Sequence, residues 1–188
     1  HGHGFDRDEL VRWARDRGMQ IDPHPALQPA KREAALVAAI ERGAVAVGAE
    51  ASSAVEAIKV AIESLSQLAP RLRAQLLEQV LERERMASTA LGEGIAVPHP
   101  REPLGAALEQ PLISLVLHDS PLDWAAIDGE LVHTVALLAS PTASAHLEIL
   151  SQIGRAVRFA EVGRLLRSRP AKSALIDGLR AFIEEKDA

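Results

Sequence analysis

The chain contains no cysteine among its 188 residues, an absence that removes disulfides, thiolate zinc sites and cysteine nucleophiles together. Aromatic residues make up only 3%. The core must therefore be built from Leu, Ile, Val and Ala, and recognition of single-stranded nucleic acid by base stacking is disfavoured for the main domain. No apolar run is long enough to span a bilayer. A surplus of positive charge is missing too: the formal net charge of −5 argues against a nucleic-acid surface, although an average leaves room for a local basic patch. With no secretory signal, the cytoplasm is the expected compartment. The chain opens at His1 rather than Met, and is expected to be a piece of a longer protein.

What is present, 47% apolar and 25% charged residues, suits a globular α/β protein. Asp6 to Gly18 reads as one short capped helix, and Pro23, Pro25 and Pro29 mark a linker. The expected division is residues 1–20 as a helical remnant, 21–30 as a Pro-rich linker and 31–188 as the main domain. Within that domain the patterning predicts a helix over Lys31–Arg42 and a strand over Ala44–Val47. A helix opened by the capping box Ser53/Glu56 follows, with Val55, Ile58, Ile62 and Leu65 inward, and another begins at Pro70. The runs Leu112–Leu117 and Val132–Leu138 are nearly continuous in apolar residues, as strands buried on both faces are. The loop between them, Pro121–Gly129, is expected to be anchored by Trp124 and Ile127. Three helices close the chain, over Ser144–Val157, Ala160–Arg167 and Ala171–Glu185. The fold class is α/β, a central sheet with helices on both faces.

The stretch Thr89–Arg101 concentrates the chemistry. A turn with Gly92 and Gly94 feeds the strand Ile95–Val97, and Pro98 and Pro100 bracket His99, leaving its backbone few choices. His146 lies in the first turn of its helix, with Ile149, Leu150, Ile153 and Val157 following at helical spacing, so it points along the buried face. A helix N-terminus favours neutral imidazole and a nearby anion. Taken alone, His146 reads more readily as a capped, partly buried structural histidine and His99 can be a loop residue after a strand, and spacing alone excludes neither reading. A metal site is a weak third reading, because no H-x-x-x-H or H-x-H pair lies in the folded region. His118 and His133 read as structural or surface residues, and His1, His3 and His24 fall in the tail and linker.

These residues carry a resemblance. Arg83-Glu84-Arg85-Met86 with Ser88-Thr89 and Gly-Ile-Ala-Val-Pro-His is similar to the active-site block of the type 2 enzyme IIA domains of the bacterial phosphoenolpyruvate-dependent phosphotransferase system, the fructose, mannitol and nitrogen-regulatory group. Ala126-Ile127-Asp128-Gly129, the following strand, Ser140-Pro141 and His146-Leu147 resemble its second block, over about residues 27 to 186. The resemblance implies a mixed central sheet, the mannitol-specific-like fold, and a histidine phosphocarrier. It implies His99 as the phosphorylated nucleophile, His146 as its partner and Arg83 as the arginine compensating phosphate charge, with Arg101 a second candidate. It implies an HPr-type phosphocarrier protein as partner, with no cofactor and no metal. Pro100 and Ala87 stand where glycine is common in the family, which bears on partner choice rather than on the reacting groups.

Phe5 to Leu10 with Trp13-Ala14 resembles the last helix of an excisionase or MerR-like helix-turn-helix domain. DNA contact would then come only through a module preceding this sequence. That resemblance, and the lack of an attached IIB or IIC segment, favour a regulatory, nitrogen-type branch with regulatory protein partners. The alternative is a non-catalytic sensor or interaction domain of a transcriptional regulator.

Overall fold

The computed structural model describes residues 29–187, with side chains from Ala35 to Phe182. The tail helix, most of the linker and the helix-turn-helix resemblance lie outside the described residues. In chain order the elements are α1 (Pro29–Arg42), β1 (Ala44–Ala49), α2 (Ala54–Glu63), α3 (Pro70–Met86), β2 (Ala90–Gly92), β3 (Ile95–Ala96), a 3-10 turn (Gly105–Ala107), β4 (Leu112–Leu122), β5 (Val132–Ala139), α4 (Ala143–Ala156), α5 (Ala160–Arg167) and α6 (Lys172–Asp187). α1 starts two residues earlier than the patterning suggests. Pro29 opens its first turn, where a missing N–H leaves no helical bond unmade.

The strands form one mixed sheet in the order β1-β4-β5-β3-β2. β1 runs parallel to β4 and β3 parallel to β5, while β4/β5 and β2/β3 are antiparallel. Alternation along the two long central strands sends side chains to two separate cores. Leu112 and Val116 of β4, with Val135, Leu137 and Ala139 of β5, meet Ile58, Ile62, Leu76 and Val80 of α2 and α3. Ile113, Leu115 and Leu117, with Ala136 and Leu138, meet Leu36, Ile40, Ile149, Ile153, Val162 and Leu175 from α1, α4, α5 and α6. The expectation of strands buried on both faces holds for this reason. The second layer leaves an apolar gap of about 40 Å³ beside Thr134 and Ala136. Such a gap is too small and too apolar to be a binding site.

Two side chains depart from the patterning. Val55, placed on the buried stripe of α2, is 48% exposed, because the stripe turns instead through Ala57, Ile58, Ala61 and Ile62. Ile127, expected as a loop anchor, is 97% exposed, whereas Trp124 is buried. The capping box is also displaced by one residue: Ser53 Oγ accepts from Glu56 N, but the Glu56 carboxylate accepts from Ser52 N and Oγ.

Truncation at the two stripe positions separates core from surface. Ile58→Ala, at a side chain with 0% exposure, is expected to lower the unfolding free energy by about 2–5 kcal/mol. Val55→Ala is expected to change it by less than about 0.5 kcal/mol. Urea unfolding of both variants is the check, and equal losses would return Val55 to the core.

Candidate functional site

β3 and β5 are parallel, so both leave the sheet at the same edge, where the carboxyl ends of parallel strands commonly form binding crevices. β3 delivers Val97, Pro98 and His99 there, and β5 delivers Ser140 and, through the start of α4, His146. The hairpin that feeds β3 is tight: Gly92, Glu93 and Gly94 all have positive φ. A Cβ on Gly94 would lie 2.5 Å from the His133 ring, so this turn excludes side chains there on two grounds.

Each peptide before His99 is held. Val97 N donates to Thr89 O at 3.0 Å, and Leu138 N donates to Pro98 O at 3.0 Å. Pro98 and Pro100 are buried, with His99 half-buried between them. His99 Nδ1 lies 2.7 Å from Val97 O. A carbonyl oxygen can only accept, so Nδ1 carries the proton and neutral His99 has its lone pair on Nε2.

The His146 ring centroid lies 5.0 Å from that of His99, the rings inclined at 61°. Thr142 caps α4 by accepting from Ala145 N at 3.2 Å, which fixes the turn that presents His146. Its Nδ1 meets Ser140 Oγ at 2.9 Å. Burial pushes the His99 pKa below its ordinary value of 6.5; the Val97 bond opposes this, the Arg83 charge adds to it and Glu84 offsets it in part. Burial also lowers the His146 pKa, with a contribution from His99. Two desolvated, neutral imidazoles thus share one crevice.

Of the two arginines proposed from sequence, Arg83 acts on His99. Its guanidinium donates to Ala87 O at 2.9 Å, closing the end of α3. Arg101 is exposed, and among the described residues the charges that act on His99 are those of Arg83 and Glu84. His118 and His133 lie apart from this pair, bound to Ala49 O and to Thr134 Oγ1. Among the described residues no group of three or more His, Asp or Glu side chains could hold a metal ion.

Glu84 is the contributor that sequence reasoning left without a role. Its Oε1 accepts from Thr89 N and from Trp124 Nε1, each at 2.9 Å, and its Oε2 accepts from Thr89 Oγ1. Ser88 Oγ donates to Trp124 O at 2.9 Å beside it. Thr89 in turn holds Val97, so the Glu84 carboxylate ties the end of α3 to the segment that carries His99. In sequence it is one charge in a charged run, and nothing local pairs it with a tryptophan 40 positions on.

Two measurements follow. Glu84→Ala strands the Thr89 and Trp124 donors in nearly full burial. It should lower the unfolding free energy by about 2 kcal/mol or more, with Glu84→Gln recovering most of that through its amide oxygen; urea unfolding of the pair is the check. The pH dependence has a definite sign. His99, His118, His133 and His146 all have pKa values lowered from 6.5, so below that pH the unfolded chain binds protons that the folded chain refuses. Their contribution to stability is full above pH 6.5 and is lost as pH falls below it. Chemical denaturation across this range should show that fall, and His99→Gln should reduce the slope by up to one proton.

In sequence and fold the chain is similar to known proteins. The family described as "Phosphoenolpyruvate-dependent sugar phosphotransferase system, EIIA 2" matches residues 38–181. A nitrogen regulatory protein of Pseudomonas aeruginosa is 41% identical over 110 residues, spanning 56% of this chain and 69% of that protein. The crystal structure of nitrogen regulatory protein IIA-Ntr from Neisseria meningitidis has a TM-score of 0.66 at 23% identity, covering 77% of this chain and 98% of that one. The solution structure of enzyme IIAMTL complexed with phosphorylated enzyme IIBMTL from Escherichia coli has a TM-score of 0.62 at 19% identity, covering 73% and 94%. The last two share the fold, and the match over residues 38–181 establishes that the chain belongs to the EIIA 2 family of the phosphoenolpyruvate-dependent sugar phosphotransferase system.

Proposed function

We propose that His99 is the phosphate-carrying residue of this domain, accepting a phosphoryl group from a phosphohistidine on an HPr-type carrier and passing it to a downstream acceptor. The observation that carries the reading is the bond from His99 Nδ1 to Val97 O, which leaves Nε2 as the nucleophile. In the transfer the N–P bond of the donor breaks as an N–P bond to His99 Nε2 forms. The donor imidazole leaves with the electron pair, and the proton on His99 Nδ1 stays against Val97. Little covalent assistance is needed, so positioning and charge compensation supply the effect. His146 and Arg83 provide the compensation, and the N-terminus of α4 adds a favourable field for an anion.

The acceptor side of the proposal rests on the fold neighbour that is complexed with a phosphorylated IIB enzyme. The similarity to a nitrogen regulatory protein supports a regulatory branch with regulatory protein partners. No helix among the described residues is long and apolar enough to cross a membrane. A purely contact-mediated sensor has no use for a free lone pair on one desolvated imidazole and a second imidazole beside it, and that alternative is not favoured.

Incubation with phosphoenolpyruvate, enzyme I and HPr-type carriers should label the chain with acid-labile, base-stable phosphate. His99→Ala should abolish the label. His146→Ala and Arg83→Ala should slow single-turnover transfer on the order of 10²-fold each, the usual loss for one charge-compensating donor. Label retained in His99→Ala would overturn the assignment.

A further inference from the structure

Both site imidazoles are fixed through Nδ1 by a group just past a strand end, but the two groups differ in kind. Val97 offers His99 a carbonyl, which can only accept. Ser140 offers His146 a hydroxyl, which can do either. Ser140 follows directly on β5, is 0% exposed, and is pinned through its own carbonyl by Leu104 N at 2.9 Å. Among the described residues its hydroxyl has one partner, His146 Nδ1.

We infer that Ser140 sets the tautomer of His146, donating its hydroxyl proton to Nδ1 so that the ring proton resides on Nε2. Were Nδ1 protonated, Ser140 would accept a hydrogen bond from it, and its own O–H, at 0% exposure, would have no acceptor among the described residues. The cost of an unmade buried hydrogen bond favours the Nε2–H form about tenfold or more. The inference rests on the phosphocarrier reading for its purpose. The two imidazoles become complementary, with a lone pair on His99 Nε2 and a hydrogen on His146 Nε2. Once His99 carries phosphate, His146 can donate to a phosphoryl oxygen while remaining uncharged. The opposite tautomer would turn a lone pair toward the anion. A neutral donor stabilises the phosphorylated state without adding a second full charge beside Arg83, which suits a group that must be handed on. Ser140 is thus a positioning residue, acting through His146.

Nitrogen-15 NMR of histidine-labelled protein distinguishes protonated from bare ring nitrogens without any phosphoryl transfer. At a pH where His146 is neutral, the unmutated chain should show a bare Nδ1 and a protonated Nε2 on His146, and the reverse on His99. A protonated Nδ1 on His146 would overturn the inference whatever the fate of the phosphocarrier reading. Ser140→Ala should populate both His146 tautomers and slow transfer to His99 by about twofold, the loss expected when the competent tautomer falls from about nine-tenths to about half, and Ser140→Ala/His146→Ala should be no slower than His146→Ala alone. Independent, multiplicative losses in the double variant would make Ser140 merely structural. Failure of the unmutated chain to accept phosphate would instead count against the phosphocarrier reading, leaving the tautomer result to stand or fall by its spectrum.

Discussion

The site depends on one short hydrogen bond, from the imidazole of His99 to the carbonyl of Val97, two residues back at 2.7 Å. It fixes which nitrogen carries a proton and therefore which one can attack. A bond between near neighbours is worth this much only if the intervening backbone cannot relax. Pro98 restricts its own φ, Pro100 restricts His99, and the peptides between are held by Thr89 and Leu138. Rigidity that would be excessive in an ordinary loop here gives a flexible side chain one orientation, as the transfer proposed for His99 requires.

The sheet explains why the second half of the site arrives where it does. β3 and β5 are hydrogen-bonded neighbours running the same way, so whatever follows each of them emerges at one edge. The segment after β3 is short and stiff, and the segment after β5 enters a capped helix. His99 and His146 are brought to a ring separation of 5.0 Å by strand pairing, with no direct bond between them. Two independent apolar cores hold that pairing from opposite faces. Desolvation lowers the pKa of both rings and so favours their neutral forms, the state that the proposed transfer uses.

Much of this was legible in the sequence because the signals were local or came as a motif. The two apolar strands, the bracketing prolines, the Pro70 helix start and the histidine at the head of α4 follow from periodicity and turn chemistry. The identities of His99, His146 and Arg83 came from resemblance, and their convergence needed the fold. What stayed hidden was long-range or side-specific. Glu84 sits in a charged run that reads as solvated, and only the structure places Trp124 and Thr89 against it. Ser140 reads as one small residue after a strand; its burial and its single partner are properties of packing. Val55 and Ile127 failed for the opposite reason. Both are apolar, but Val55 lies off the stripe that packs and Ile127 stands in a turn, 97% exposed.

In the transfer proposed for this domain the Val97 carbonyl selects the reacting nitrogen of His99. Nitrogen–phosphorus NMR on the phosphorylated, histidine-labelled chain tests it most directly. Coupling of phosphorus to Nε2 of His99, with Nδ1 still protonated, is the predicted result, and phosphate on Nδ1 would contradict it.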